Sequence, residues 1–482
     1  MENIKKNLFY QIIYQILLIL VPLVTTPFIS RVLGPELIGE HTFVFSIVSY
    51  FVMFAMLGIN NYGPEIISKN RDNKSKLSQL FSNLFFAHFI FSVLAIVAYF
   101  IYILASNPSN IWLYVIQSIY LFSSLVEVNW FFVGIEKIKF TAIKSSVIKI
   151  LTTILIFVFV RNKDSLWVYA LILAGSAIIN QIVFWPNLHK YINFVKPDFK
   201  EALKLSVPLL RLFIPVIAVS LYKTMDKLMI GWLCSSDSMT QLGFYENAEK
   251  ILSIPLGIIS GLGVVMLPRM SYFVETKSND QISKYINASI TLIFVLLIPC
   301  SAGLISVSDL FVPLYFGESF IGSIPILQIL SLTIVFVGCS NVLRTQILIP
   351  FDYHRQYTIA VIVGAVVNII CNLVLIPIYS AIGAAIGTLV AEIVVFSLQS
   401  IMVKNVAKTF NMYMKKMPFF CFAIVMCKIL SMVSIPLSSS ILILVIKIGL
   451  GTFIYVLCCF GYIVVLSQIK EKSLKRVFME DL

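Results

Sequence analysis

Residues 39–64 read GEHTFVFSIVSYFVMFAMLGINNYGP, and residues 243–268 read GFYENAEKILSIPLGIISGLGVVMLP. Each stretch opens on a glycine, runs mostly apolar, and closes on a proline 25 positions later. About 20 apolar residues cross the hydrocarbon core of a bilayer, so each stretch is read as one membrane-spanning helix. A polar loop follows each proline, and then a helix start carrying a lysine, Lys76 or Lys284. Before each glycine stands a basic residue with another glycine close behind it: Arg31 with Gly34, and Lys227 with Gly231. The matched spacing points to an internal duplication.

Runs of the same kind fill the chain. Spans are expected near 8–30, 39–64, 79–105, 111–133, 141–160, 166–188, 205–232, 242–268, 283–305, 323–349, 357–378, 382–404, 417–434 and 440–467. Of the 482 residues, 59% are hydrophobic and 12% charged. Soluble domains average roughly 45–50% and about 25%. A soluble enzyme, a secreted disulfide scaffold and a disordered chain are thereby excluded. The runs are continuous rather than alternating, which excludes a transmembrane barrel. Lys5 and Lys6 precede an apolar run too long for a signal peptide, interrupted by Pro22 and Pro27 and lacking a small-residue cleavage site, so it is read as the first span. The expected fold is an all-α polytopic membrane protein of about 14 transmembrane helices. Six spans on each side of the loop at 189–204 make two parallel repeats, over 1–189 and 190–410, with two extra helices and a tail over 411–482.

With the N-terminus placed in the cytoplasm, 25 Lys and Arg fall in cytoplasmic segments, Lys415 and Lys416 among them, while the outer loops hold only Arg31, Arg161 and Lys163. This is the positive-inside pattern, with both termini cytoplasmic. It accounts for most of the net charge of +13 through topology and anionic lipid, so nucleic acid is not an expected partner. The eight cysteines form no C-x-x-C pair and the four histidines are scattered. No metal site or resident cofactor is expected.

Thr26-Pro27-Phe28-Ile29-Ser30-Arg31-Val32-Leu33-Gly34-Pro35-Glu36-Leu37-Ile38-Gly39 resembles the first-helix signature of the Wzx-type polysaccharide-transporter flippases, within the superfamily of the multidrug MATE exporters and the lipid II flippase. Gly58 with Tyr62-Gly63-Pro64-Glu65 resembles the end of the family's second helix. Asp226-Lys227-Leu228-Met229-Ile230-Gly231, Gly243-Phe244-Tyr245 and Pro268-Arg269 resemble its seventh- and eighth-helix pattern. The resemblance implies a V-shaped, two-lobed, MATE-like fold. It also implies translocation of an undecaprenyl-diphosphate-linked oligosaccharide (a capsule, O-antigen or teichoic-acid precursor) across a bacterial cytoplasmic membrane. Membrane lipids and the pathway's polymerase and glycosyltransferases are the implied partners. The implied protein is a transporter and not an enzyme. No phosphate-cradling G-x-x-x-x-G-K-[ST] loop is present to use ATP, so the expected energy source is a coupling ion, H+ or Na+.

Charges inside spans are costly, at least about 2.5–3.5 kcal/mol each on insertion scales, and mark function by default. Toward the outer face stand Arg31, Glu36 and Glu40 in the first repeat, and Lys223, Asp226, Lys227, Glu246, Glu249 and Lys250 in the second. Lys223–Asp226 and Glu246–Lys250 have same-face spacing. These groups are read either as a gate pairing across the lobes or as local pairs. Toward the inner face, Arg211, Arg344 and Lys149 have few acids at similar depth, Glu127 being the main exception. Arg211 and Arg344 would hold a diphosphate through their guanidinium forks, or would snorkel to headgroups. Arg31, Lys223 and Lys227 complete the substrate-binding set, and Asp226, Glu246 or Glu392 would carry a coupling ion. Pro22, Pro27, Pro208 and Pro215 mark kinks in the first and seventh helices, and Gly383, Ala384, Ala385 and Gly387 a packing seam. Two alternatives share parts of this pattern. A MATE-type drug antiporter would favour an acid-lined cavity, and a membrane polysaccharide polymerase would need a sizeable outer loop.

Overall fold

The computed structural model describes residues 2–235, 237–403, 409–433 and 435–469, apart from the side chains of 2–9, 11, 12, 214–216, 218, 219, 221–223, 279, 409–411 and 469. Among the described residues the chain is helical and contains no strand. Among the described residues ten helical segments are long and apolar enough to cross a membrane, so the chain is a multi-pass membrane protein. The longest two are 57 and 49 residues and each contains a break, so each covers two of the expected spans. The chain divides into two compact units, Met1–Gly231 and Trp232–Leu482.

The first unit holds α1 (Glu2–Met56), α2 (Ile59–Lys69), α3 (Lys74–Ser106), α4 (Ile111–Gln117), α5 (Ile119–Leu125), α6 (Asn129–Gly134), α7 (Ile138–Phe159), α8 (Leu166–Ile182) and most of α9 (Phe199–Leu233). The first two expected spans are joined without a true loop. Gly34 alone leaves helical geometry inside α1, at φ 78 and ψ 174, a region that glycine reaches without a Cβ clash. Pro35 then restarts the helix, where its missing N–H costs nothing. The helix continues through Pro22 and Pro27.

The span expected to run unbroken to Pro64 is instead cut at Leu57 (φ 43) and Gly58. α9 crosses there so closely that a Cβ on Gly58 would sit 2.6 Å from the Leu209 carbonyl oxygen and 3.0 Å from the Leu212 Cβ. A local reading of residues 39–64 contains no trace of a helix 150 positions away. The span at 111–133 is likewise three pieces, α4, α5 and α6.

An aromatic knot closes the lysine-rich end of this unit. Phe81 lies 5.5 Å from Trp130 and 5.2 Å from Phe131, and Phe132 lies 5.5 Å from Phe184, ring centre to ring centre. All of these rings are buried. At roughly 1.5–3 kcal/mol for each fully buried apolar side chain, the knot fixes α3, α6 and the turn after α8 as one block. Gly63 is the small residue that lets α2 reach it, since a Cβ there would meet Trp130 at 2.7 Å. On α3 the opposite face is apolar and exposed, with Leu94, Val97, Ile101 and Leu104 at helical spacing. Only hydrocarbon is a good solvent for such a face.

The second unit holds α10 (Ser238–Glu275), α11 (Asn279–Phe316), α12 (Ser323–Leu343), a π-helical turn (Arg344–Leu348), α13 (His354–Met402), α14 (Thr409–Lys415), α15 (Met417–Met432) and α16 (Ser440–Ile469). α13 is a hairpin folded at Ser380 (φ 52, ψ −134). A Cβ on Gly383 would sit 2.3 Å from the Leu375 carbonyl oxygen, and one on Gly387 would sit 2.3 Å from Asn372 Oδ1. Gly383, Ala384, Ala385 and Gly387 are all buried. They form the seam along which the two halves of this hairpin pack. Lys416, counted from sequence among the cytoplasmic loop lysines, does lie in the turn between α14 and α15, but it is fully buried and donates to Asn287 Oδ1 at 3.0 Å, tying the start of α15 to α11.

Candidate functional site

In the first unit the charged set is divided between α1, with Arg31, Glu36 and Glu40, and α9, with Arg211, Lys223, Asp226 and Lys227. Glu40 accepts a hydrogen bond from Asn110 Nδ2 at 2.9 Å, linking the second half of α1 to the start of α4. Gln117 Nε2 donates to the His41 carbonyl oxygen at 3.1 Å in a buried setting. Asp226 is buried on α9 with 3% exposure, and its neighbour Lys227 is partly buried. Gly231 admits the Phe43 ring, which a Cβ would meet at 2.3 Å. Arg31, Glu36 and Arg211 are exposed. The Lys223 side chain lies outside the described residues, and with it the Lys223–Asp226 pair.

In the second unit Glu246 and Lys250 do pair, at 3.3 Å, one helical turn apart on α10. Glu249 is partly buried beside them. Arg344 opens the π-helical turn and is partly buried. Two residues on, Gln346 is fully buried and donates to Ser289 Oγ at 2.7 Å. A π turn widens the helix and often accompanies function. Here it lies where α10 passes closely, because a Cβ on Gly263 would sit 2.8 Å from Asn341 Oδ1. The hairpin seam of α13 carries buried Asn368, Asn372 and Glu392, with Asn372 Nδ2 donating to Asn368 Oδ1 at 3.3 Å. Tyr245 OH and Thr388 Oγ1 share a hydrogen bond at 3.1 Å. These are hard oxygen donors suited to a proton or a hard cation. Among the described residues no three His, Cys, Asp or Glu side chains converge as a metal cluster.

One group has a setting that sequence reasoning did not foresee. Glu127 sits partly buried in the break between α5 and α6. It was the acid expected to accompany the inner basic residues. Among the described residues no ion pair involves its carboxyl group, and the groups acting on it are neutral, the Gln181 side chain on α8 and the Asn129 backbone. Two indoles cap the carbonyls of the break: Trp185 Nε1 donates to Val126 O at 2.9 Å and Trp130 Nε1 to Glu127 O at 3.1 Å. Lys144 is engaged elsewhere, donating to Val183 O at 2.6 Å. The available signal was a charge inside an apolar run. Gln181 stands 54 positions away on another helix, which no local pattern encodes.

Known proteins place this architecture. The chain aligns with two proteins named "Putative O-antigen transporter". The one from Escherichia coli (strain K12) is 24% identical over 412 residues, covering 84% of this chain and 97% of the relative. The one from Shigella dysenteriae is 22% identical over 356 residues, covering 73% and 87%. Among solved structures, the lipid II flippase MurJ in an inward closed conformation superposes with a TM-score of 0.76 at 14% identity, covering 95% of this chain and 99% of that one. An inward-facing multidrug MATE transporter gives 0.63 at 16% identity, covering 81% and 95%. The fold is therefore MATE-like. Residues 4–274, more than half of the chain, match the family described as "Polysaccharide biosynthesis protein", and the chain belongs to that family.

Proposed function

We propose that this protein is a flippase that translocates an undecaprenyl-diphosphate-linked oligosaccharide across the bacterial cytoplasmic membrane by alternating access. The observation that carries the reading is the alignment with an O-antigen transporter relative across 97% of that relative's length. The charge inventory agrees with it. A lipid diphosphate is an anion, and Arg31, Arg211, Lys223, Lys227 and Arg344 supply cations within or beside the spans. Guanidinium forks suit phosphate oxygens bidentately. Glu36, Glu40, Asp226, Glu246, Glu249, Lys250 and Glu392 act in gating or ion coupling. An H+ or Na+ gradient drives the cycle, no bond of the substrate is broken, and the 25-to-3 charge bias keeps both termini in the cytoplasm.

The product feeds a capsule, O-antigen or teichoic-acid polymerase, and glycosyltransferases of the same pathway supply the substrate. The small-molecule exporter reading rests on fold likeness alone. The test is genetic. Cells deprived of the protein are expected to accumulate lipid-linked oligosaccharide on the cytoplasmic side and to stop making polymer. Arg211→Ala is expected to reproduce that defect at normal protein level. Unchanged polymer in both strains would refute the proposal.

A further inference from the structure

By sequence α9 opens the second repeat, yet its contacts tie it to the first. The link that leads into it is strapped along α3. Asn193 N–H donates to Ser78 Oγ at 3.0 Å, and Asp198 N–H donates to Asn83 Oδ1 at 2.8 Å. Between them the Lys196 carbonyl oxygen accepts from Gln79 Nε2 at 3.2 Å, and the same amide reaches Asn83 Oδ1 at 3.1 Å. Ser78 and Asn83 are buried, as are Leu188 and Ile192 ahead of the strap. Asp198 Oδ1 then accepts from the Lys200 and Glu201 N–H groups at 2.9 and 3.3 Å, which caps the start of α9. The link is no slack tether, because the cap of α9 is itself held by α3.

Beyond the cap, α9 runs antiparallel to α1 and meets it at four levels. Leu209 and Leu212 press on Gly58. The Phe54 and Phe213 rings lie edge to face, 5.3 Å between centres. Tyr50 OH donates to the Ser220 carbonyl oxygen at 3.5 Å. At the far end the Phe43 ring lies against Gly231. At 1.5 Å per residue, positions 43 to 58 cover about 22 Å, most of the thickness of a hydrocarbon core. A glycine at each end of the seam gives the close backbone approach that holds helices together in lipid. Ala202, Leu209 and Phe213 belong to the same buried core as Phe81 and Trp130. Parting α9 from α1 would break the strap, the aromatic pair and this core together, whereas movement after Gly231 breaks none of them. The division into compact units also falls at Gly231 and not in the loop at 189–204. We propose that α9 stays fixed to the first unit throughout transport, so that the first helix of the second repeat travels with the first repeat and the joint lies after Gly231. The proposal rests on the alternating-access reading above and deepens it by naming the bodies that move.

Reversible cross-links in vesicles test this, in a full chain freed of its eight native cysteines. Phe54→Cys/Phe213→Cys and Phe43→Cys/Gly231→Cys are each bridged by a short bifunctional thiosulfonate, which ties α9 to α1 toward either end of the seam. Each bridged protein is expected to move labelled undecaprenyl-diphosphate oligosaccharide as fast as the same protein after reduction. Stalling by either bridge, relieved by reductant, overturns the proposal. Pulsed electron paramagnetic resonance in lipid nanodiscs gives a second readout that needs no transport. Leu94 on α3, Leu210 on α9 and Leu373 on α13 are exposed and accept spin labels through cysteine. Labels on Leu94→Cys/Leu210→Cys are expected to keep one distance, while those on Leu94→Cys/Leu373→Cys show two. Two distances between Leu94 and Leu210 overturn the proposal as well. A protein that keeps the expected distances but moves no lipid-linked oligosaccharide loses the flippase reading and retains α9 in the first unit.

Discussion

Glu127 and Glu246 are both acids in membrane-spanning segments, one in each unit, and they are accommodated differently. Glu246 has a cation one turn along its own helix, Lys250 at 3.3 Å. Glu127 has no ion pair among the described residues, and the groups acting on it are neutral, the Gln181 side chain on another helix and the Asn129 backbone. A paired charge is held by its counter-charge and serves architecture or a gate. An acid in neutral surroundings gives up no pair when its charge is removed. Spacing along one helix separates the two cases only when the partner is local.

The comparison breaks most severely if Glu127 is made cationic. Glu127→Lys places a charge with no counter-charge in the break, and a loss of about 3 kcal/mol or more, seen as failure to recover folded protein, is expected. Lys416→Met removes a fully buried cation from Asn287. It is expected to cost about 2 kcal/mol, read as a lower melting temperature, because hydrogen bonds to charged groups contribute about 1.5–3. Lys250→Met takes one partner from Glu246. Since Lys250 keeps 31% side-chain exposure, the cost is expected at about 1 kcal/mol, largely recovered in Glu246→Gln/Lys250→Met. The smallest effect sharpens the contrast. Glu127→Gln is expected to leave stability within about 0.5 kcal/mol, the range of substitutions that break no packing or pair. A melting temperature as low as that of Glu127→Lys would show that Glu127 holds the fold instead.

The membrane class, the separation of the first two spans near Gly34 and the Glu246–Lys250 pair were legible in the sequence, because each depends on residues within a turn or on run length. The α13 seam was legible for the same reason: Gly383 and Gly387 are small, close in sequence, and fold against their own helix. What lay out of reach depends on crossings. The cut at Gly58 exists because α9 presses Leu209 and Leu212 against it. Lys416, flanked by Lys415, reads as an exposed loop lysine until Asn287 on α11 claims it. Glu127 was visible as a charge out of place, but the neutrality of its surroundings comes from Gln181 on α8.

The most direct measurement follows the leaflet position of a labelled undecaprenyl-diphosphate oligosaccharide in vesicles containing the purified protein. Protein-dependent exposure of the glycan on the opposite leaflet is the expected result, with a neutral glycolipid of the same sugar left in place. No movement of the diphosphate-linked oligosaccharide, or equal movement of both lipids, would contradict the flippase account.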